Sequence, residues 1–290
     1  GKKILLARSE PEISSPKFER PSMACCNSRD KVMGELYTIP FSHYCELARW
    51  SLQEAKIDVT EYPYLPGIHQ FFGPMERLRK GSSGDSTGKG QGTPLYVTAE
   101  GCILDDSWQI LELANLGSVP EEMKSILNYE IGPQIRSIVY SDVLRPEKDD
   151  AFNGMGQECP VSWWQRWLWG LGGFRRKVAN VMSEQMVGDE EKQKKTLQDF
   201  ENAIQKVEVE LSKSNGCFKG APENLTAPAL ALAALFAPAV CPPEYTGGLV
   251  PDLKPLFSES SQKLIQGWRE RPIGKFTLEV YRLHRMRAVR

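Results

Sequence analysis

The sequence predicts an α/β domain followed by an all-helical one, and three features predict it. Glu35-Leu36-Tyr37-Thr38-Ile39 is a run of strand formers that meets Pro40 and gives way to apolar residues at helical spacing, Cys45, Ala48 and Leu52. Residues 95–98 and 102–104 form a hairpin around Ala99-Glu100-Gly101, after which Asp106-Ser107 open a helix. From Pro120 onward only helical stripes remain, and a length of 290 residues suits two such domains.

In chain order, residues 1–33 mix both charge signs with Ser and Pro and read as an irregular extension; an organelle-targeting remnant is the alternative, although Glu10, Glu12 and Glu19 are unusual for one. The first strand, tight corner and helix follow. Ile57-Asp58-Val59-Thr60-Glu61-Tyr62 then alternates as a second strand, parallel to the first by the handedness of βαβ crossovers. Residues 67–80 read as a partly helical connection. Residues Gly81 to Gly92 hold no apolar side chain and read as a solvated loop. Gly88-Lys89 invites comparison with a phosphate-binding loop, but Gly90 stands where Ser or Thr is required, Ser83 where a glycine is, and a strand follows instead of a helix.

The helix over residues 108–116 is closed by Gly117-Ser118, which puts the domain boundary at 117/118 and gives three segments: 1–33, 34–117 and 118–290. In the helical part, Met123, Ile126, Leu127, Ile131, Ile138 and Val143 make a stripe with a kink expected at Pro133. Leu197, Phe200, Ile204, Val207 and Leu211 make a second stripe, and residues 225–240, nearly all apolar, read as the buried central helix. Between these, Trp163, Trp164, Trp167 and Trp169 fall on one broad helical face. Three readings stand for it: packing against the first domain, an apolar acceptor pocket, or a membrane-surface or partner-docking face.

The corner is where chemistry is expected. The first amides of a helix have no intrahelical partners and carry the positive end of its dipole, so an anion is stabilised there. Ser42-His43-Tyr44-Cys45 occupies that start. With serine in the place of an attacking cysteine, a dithiol cycle is not available and the sulfur must come from outside. Cys45 lies one turn in, on the apolar pattern, and reads as a small core residue.

Pro40-Phe41-Ser42-His43-Tyr44, Thr93-Pro94-Leu95-Tyr96-Val97 and Leu104-Asp105-Asp106-Ser107-Trp108-Gln109-Ile110-Leu111 together resemble the glutathione transferases. The likeness covers residues 34–290 and weakens after the first third; the segment Trp268-Arg269-Glu270-Arg271-Pro272-Ile273-Gly274-Lys275-Phe276 is similar to the tails of some microbial members and of some from plastid-bearing lineages. It implies a thioredoxin-like N-terminal domain, a helical C-terminal domain and an active cleft between them. It further implies glutathione as cosubstrate and a small apolar electrophile as its acceptor, as in detoxification. Ser42 would stabilise the thiolate, a cis Thr93-Pro94 bond would aim the Thr93 backbone at the cysteinyl part, and Asp106 and Ser107 would take the γ-glutamyl end. Tyr37, Tyr44, Trp163 and Trp167 are further pocket candidates. Members usually carry an Asp three residues after the capping residue of the central helix; Thr226-Ala227-Pro228-Ala229 lacks it, which puts that helix start in doubt. A homodimer, a protein partner on the tryptophan face and a non-catalytic assembly subunit are the alternatives on the partner side.

Composition bounds the rest. A net charge of −1 gives no reason for nucleic acid as a partner, and no apolar run reaches the length a membrane span needs, so the chain reads as soluble. Seven cysteines without framework spacing read as reduced thiols in the cytoplasm or in an organelle interior such as a plastid. Three histidines, at 43, 69 and 284, are too sparse for a zinc site, and no metal is expected.

Overall fold

The computed structural model describes residues 34–70, 93–250, 252 and 254–285. The extension over residues 1–33, the Gly81 to Gly92 loop and residues 71–80 of the connection lie outside the described residues.

Four strands form one sheet in the order β2-β1-β3-β4: β1 is Gly34–Thr38, β2 Val59–Pro63, β3 Leu95–Val97 and β4 Ile103–Leu104. Strands β1 and β2 are parallel, Leu36 opposite Glu61, and helix α1 (His43–Glu54) makes the crossover between them. Strand β3 pairs antiparallel with β1, and β4 with β3. Helix α2 (Ser107–Glu112) follows and packs with α1; Leu36, Ala48, Leu52, Tyr96 and Ile110 form the apolar cluster there. This is the thioredoxin-like arrangement. Helix α2 ends earlier than the expected Leu116, and the chain then turns through positive φ at Asn115 (53°) and Gly117 (88°).

The rest is helical. Helices α3 (Glu121–Ser125) and α4 (Gly132–Val143) are joined by a π-helical segment, Ile126–Ile131. Helices α5 (Asp149–Glu158), α6 (Trp163–Gly170), α7 (Gly172–Met186) and α8 (Glu190–Leu211) follow, then α9 (Ala227–Val240), α10 (Glu259–Glu270) and α11 (Pro272–His284). Every residue of α9 is buried, and it packs against α1, α4, α10 and α11, so one core runs from the α/β half into the helices. The start of α9, doubted for want of an acidic capping partner, is closed by Thr226, whose Oγ1 accepts from Ala229 N at 3.4 Å. Pro228 in the first turn helps, since its missing amide would have had no partner. Among the described residues no helix is long and apolar enough to cross a membrane.

Where a kink is expected at Pro133, the chain passes through the π-helical segment, in which Gly132 N bonds to Leu127 O. One residue on, Asn128 O would await the amide of residue 133, which proline lacks. The Tyr44 hydroxyl donates to that orphaned carbonyl at 3.2 Å. The four tryptophans, in turn, do not share a face. Trp169 is fully buried on Gly156, its Nε1 donating to Phe152 O at 3.3 Å, while Trp163 and Trp167 are 74% and 64% exposed. Helix α6 is tied to the α/β half by Gln165 instead: its Oε1 accepts from Leu65 N at 3.0 Å and its Nε2 donates to Pro63 O at 3.1 Å.

Candidate functional site

Pro40 and Phe41 turn the chain out of β1, and Ser42 caps α1 in extended conformation with its Oγ accepting from Cys45 N at 3.4 Å. The corner is held from behind by Tyr245, a buried side chain whose hydroxyl donates to Phe41 O at 2.9 Å. Tyr44 is fixed from the helical half through Asn128, and its ring lies so close over Gly132 that a Cβ there would stand 2.3 Å from the phenol oxygen. The Thr93-Pro94 bond is cis, as expected.

Ser42, Tyr44 and Thr93 open on one cleft of about 600 Å³. Its far wall comes from α4, with Arg136 and Tyr140, and from α7, with Phe174, Val178, Val181, Met182 and Met186. Pro94 is buried at the head of β3. Asp106 and Ser107 do not line the cleft: Asp106 caps α2, its Oδ1 accepting from Trp108 N at 3.0 Å, and Ser107 is buried in the first turn. Tyr37 is buried in the sheet, its hydroxyl donating to Glu35 at 2.9 Å and its ring stacked on Tyr62 and Tyr64. Strand alternation puts it outside the cleft. Trp163 and Trp167 do not line the cleft either.

The electrostatics separate the groups at the corner. Burial, reinforced by the Arg136 charge, lowers His43 to about 3, so its ring is neutral, and its Nε2 meets no partner. Burial pushes the Tyr44 phenol up to about 12, with Asp106 close enough to add to the rise. Burial also pushes the Cys45 thiol up, although Ile39 N donates to its Sγ at 3.3 Å and the Ser42 and Thr93 side chains reach it. Cys45 is therefore a sealed, protonated thiol at neutral pH.

Arg136, Tyr140 and Tyr245 are the site residues that the sequence reading missed. Gly132, Arg136 and Tyr140 recur every four residues on one helix, which puts them on one face, but nothing local says that this face meets the corner.

No protein-family profile and no curated protein sequence matches the chain. Solved structures do. Glutathione transferase GSTFuA3 from Phanerochaete chrysosporium matches with a TM-score of 0.51 at 13% identity, over 86% of this chain and 95% of that one. Glutathione transferase GSTFuA2 from the same organism matches with a TM-score of 0.50 at 15% identity, over 87% and 98%. At these identities the likeness establishes the fold: a thioredoxin-like domain followed by a helical one, as in those two transferases.

Proposed function

We propose that this chain transfers glutathione to a small apolar electrophile, with Ser42 holding the glutathione thiolate. One observation carries the reading: the Ser42 hydroxyl stands at the N-terminus of α1 on the same cleft as Thr93, beside the cis bond to Pro94. Ser42 Oγ receives the Cys45 amide on a lone pair, so capping the helix and donating the hydroxyl proton to a sulfur are compatible. Lowering a thiol pKa from about 8.5 to about 6.5 requires roughly 2.7 kcal/mol of preference for the thiolate. One charge-assisted hydrogen bond and a helix N-terminus are together of that size.

In this reading the Thr93 backbone holds the cysteinyl part, and the γ-glutamyl end extends past Tyr44 toward Asp106 and Ser107 at the start of α2. The apolar wall of α7 receives the acceptor. The thiolate sulfur attacks the electrophilic carbon, the C–S bond forms, and the leaving group departs with its electron pair. Ser42→Ala should lower conjugation of a generic electrophile at neutral pH by roughly ten- to a hundredfold, each pKa unit being about 1.4 kcal/mol. Retention on immobilised glutathione should hardly change. Equal rates for parent and variant would reduce Ser42 to a helix cap.

A second reading, a non-catalytic assembly subunit, is favoured by the exposed Trp163 and Trp167 pair on α6. A parent protein that neither binds glutathione nor turns over would support it.

A further inference from the structure

The far wall of the cleft carries a charge that the transfer reading leaves unused. Arg136 makes no hydrogen bond or ion pair among the described residues, and its Nε is buried without an acceptor. The buried arginines are answered, Arg49 by Glu61 and Glu46, Arg175 by Asp149 and Arg285 by Glu46, and the half-buried Arg271 is answered by Glu201 and Glu208. No Asp or Glu is among the described residues lining the cleft, and its only other charged one is Lys177, exposed at the rim. His69, lowered by burial, adds no counter-charge. A partly desolvated guanidinium facing a cavity is costly unless an anion meets it, and its planar fork suits a carboxylate.

Arg136 faces two spaces. The inner one, shared with His43, Tyr140 and Tyr245, holds about 30 Å³ and admits nothing larger than a water. The outer one is the cleft of about 600 Å³, which takes an organic ligand. Arg136 arrives from α4 and its charge acts on His43 and Tyr44 beside Ser42, whereas Thr93 comes from the head of β3, so the guanidinium and the Thr93 backbone reach the cleft from different elements.

We infer that the acceptor is an amphiphile, an aromatic or branched apolar body ending in a carboxylate, with the carboxylate received by Arg136 and the body laid along Phe174, Val178 and Met182. This rests on the transfer reading and narrows it to a substrate class. The electrophilic carbon then lies between Arg136 and Ser42.

The test uses matched pairs. 4-Phenylbutyrate and 4-phenylbutyramide are titrated calorimetrically without glutathione; 4-(chloromethyl)benzoate and 4-(chloromethyl)benzamide are compared as substrates with it. In the substrates the thiolate forms a C–S bond at the benzylic carbon and chloride leaves with the electron pair. The parent should prefer the carboxylate of each pair by about tenfold or more, the size of a charge-assisted hydrogen bond. Arg136→Met, which keeps the apolar stem, should bring each ratio near one, the carboxylates losing more than the amides, whose carbonyl also accepts from a guanidinium. Arg136→Lys, which keeps the charge and loses the fork, should keep part of the preference and serves if the methionine variant does not fold. Parity in the parent, or a preference that survives Arg136→Met, overturns the inference. So does a raised KM for glutathione in Arg136→Met with the carboxylate preference intact, which would assign the guanidinium to the cosubstrate. Failure of the two readings is distinguishable: glutathione retention and turnover with parity removes the anion alone, whereas carboxylate preference without glutathione retention removes the transfer reading and leaves the anion site.

Discussion

On one flank of helix α1, Glu46 is fully buried and receives Arg49 at 3.0 Å, Arg285 at 2.8 and 3.2 Å and the Tyr281 hydroxyl at 3.4 Å. Arg49 turns its other side to Glu61 at 2.7 Å, and Thr38 donates to the same carboxylate at 2.5 Å. At the start of the same helix, His43 Nε2 and Arg136 Nε are buried and meet nothing. The first neighbourhood balances two carboxylates with two guanidiniums and fastens Arg285, just past α11, to the α/β half. The second keeps a cation beside a cleft. Buried charges that hold a fold together are paired in place, because removing one partner strands the other.

The largest way to break this comparison is Glu46→Ala, which strands Arg285 and part of Arg49. It should cost about 3–5 kcal/mol in denaturant unfolding, the usual price of removing one partner of a buried pair. Arg136→Met, which strands nothing, should cost under about 1 kcal/mol. Comparable losses for the two would mean that the paired network does not fasten the segment.

Acid sharpens the comparison, because the two flanks titrate in different windows. With His43 lowered to about 3 by burial and by Arg136, neither the folded nor the unfolded chain binds this proton above pH 6.5, and stability is full there. Below 6.5 the unfolded chain takes the proton and the folded chain refuses it, so stability falls by about 1.4 kcal/mol per pH unit toward pH 3. Between pH 6.5 and 5 the loss is about 2 kcal/mol. His69, lowered by burial, adds in the same direction. Burial pushes the Glu46 carboxyl up, but Arg285 and Arg49 outweigh it and hold it low; for Glu61, Arg49 and Thr38 do the same. Their contribution is present above the ordinary carboxylate range and is lost only below it. His43→Gln should therefore flatten the slope between pH 6.5 and 5 and leave the steeper acid limb. An unchanged slope would mean that His43 accepts its proton in the folded state.

The sequence was most informative where the physics is local. Strand formers ending at Pro40, a glycine hairpin, and the caps Ser42 and Asp106 are turn and capping chemistry, and they placed β1, α1, β3, β4 and α2 and brought Ser42 and Thr93 to attention, whereas the start of α9 at Thr226 was doubted although Thr226 caps it. The tryptophans misled because a seven-residue stretch spans nearly two turns: Trp163 and Trp167 share a side, but Trp169 lies about 240° round from Trp163. Pro133 signalled a break that a π-helical segment absorbs, with Tyr44, from far earlier in the chain, satisfying the carbonyl that proline cannot. Arg136 and Tyr245 carry no local signature. Their importance comes from docking α4 and a late turn against a corner made long before them, and no periodicity encodes that.

Tyr245 supplies the smallest effect and the finest cut between the two flanks. It heads the short turn Tyr245–Gly248, in which Thr246 and Gly247 take positive φ, and burial lifts its phenol well above the usual range, so the hydroxyl remains a donor at any working pH. Among the described residues the hydroxyl donates to Phe41 O, the carbonyl immediately before Ser42. Tyr245→Phe keeps the ring and removes that one bond, a loss of about 1 kcal/mol in unfolding. If the bond positions the corner, kcat for conjugation should fall about three- to tenfold while KM for glutathione holds, because a small misplacement of a reacting group lowers rate before binding. Ser42→Ala should lose more, and the double variant should lose less than the product of the two, since a displaced hydroxyl has less to lose. A Tyr245→Phe protein with the parent kcat and only the stability loss would show that the Ser42 cap and the Ile39 amide on Cys45 hold the corner unaided.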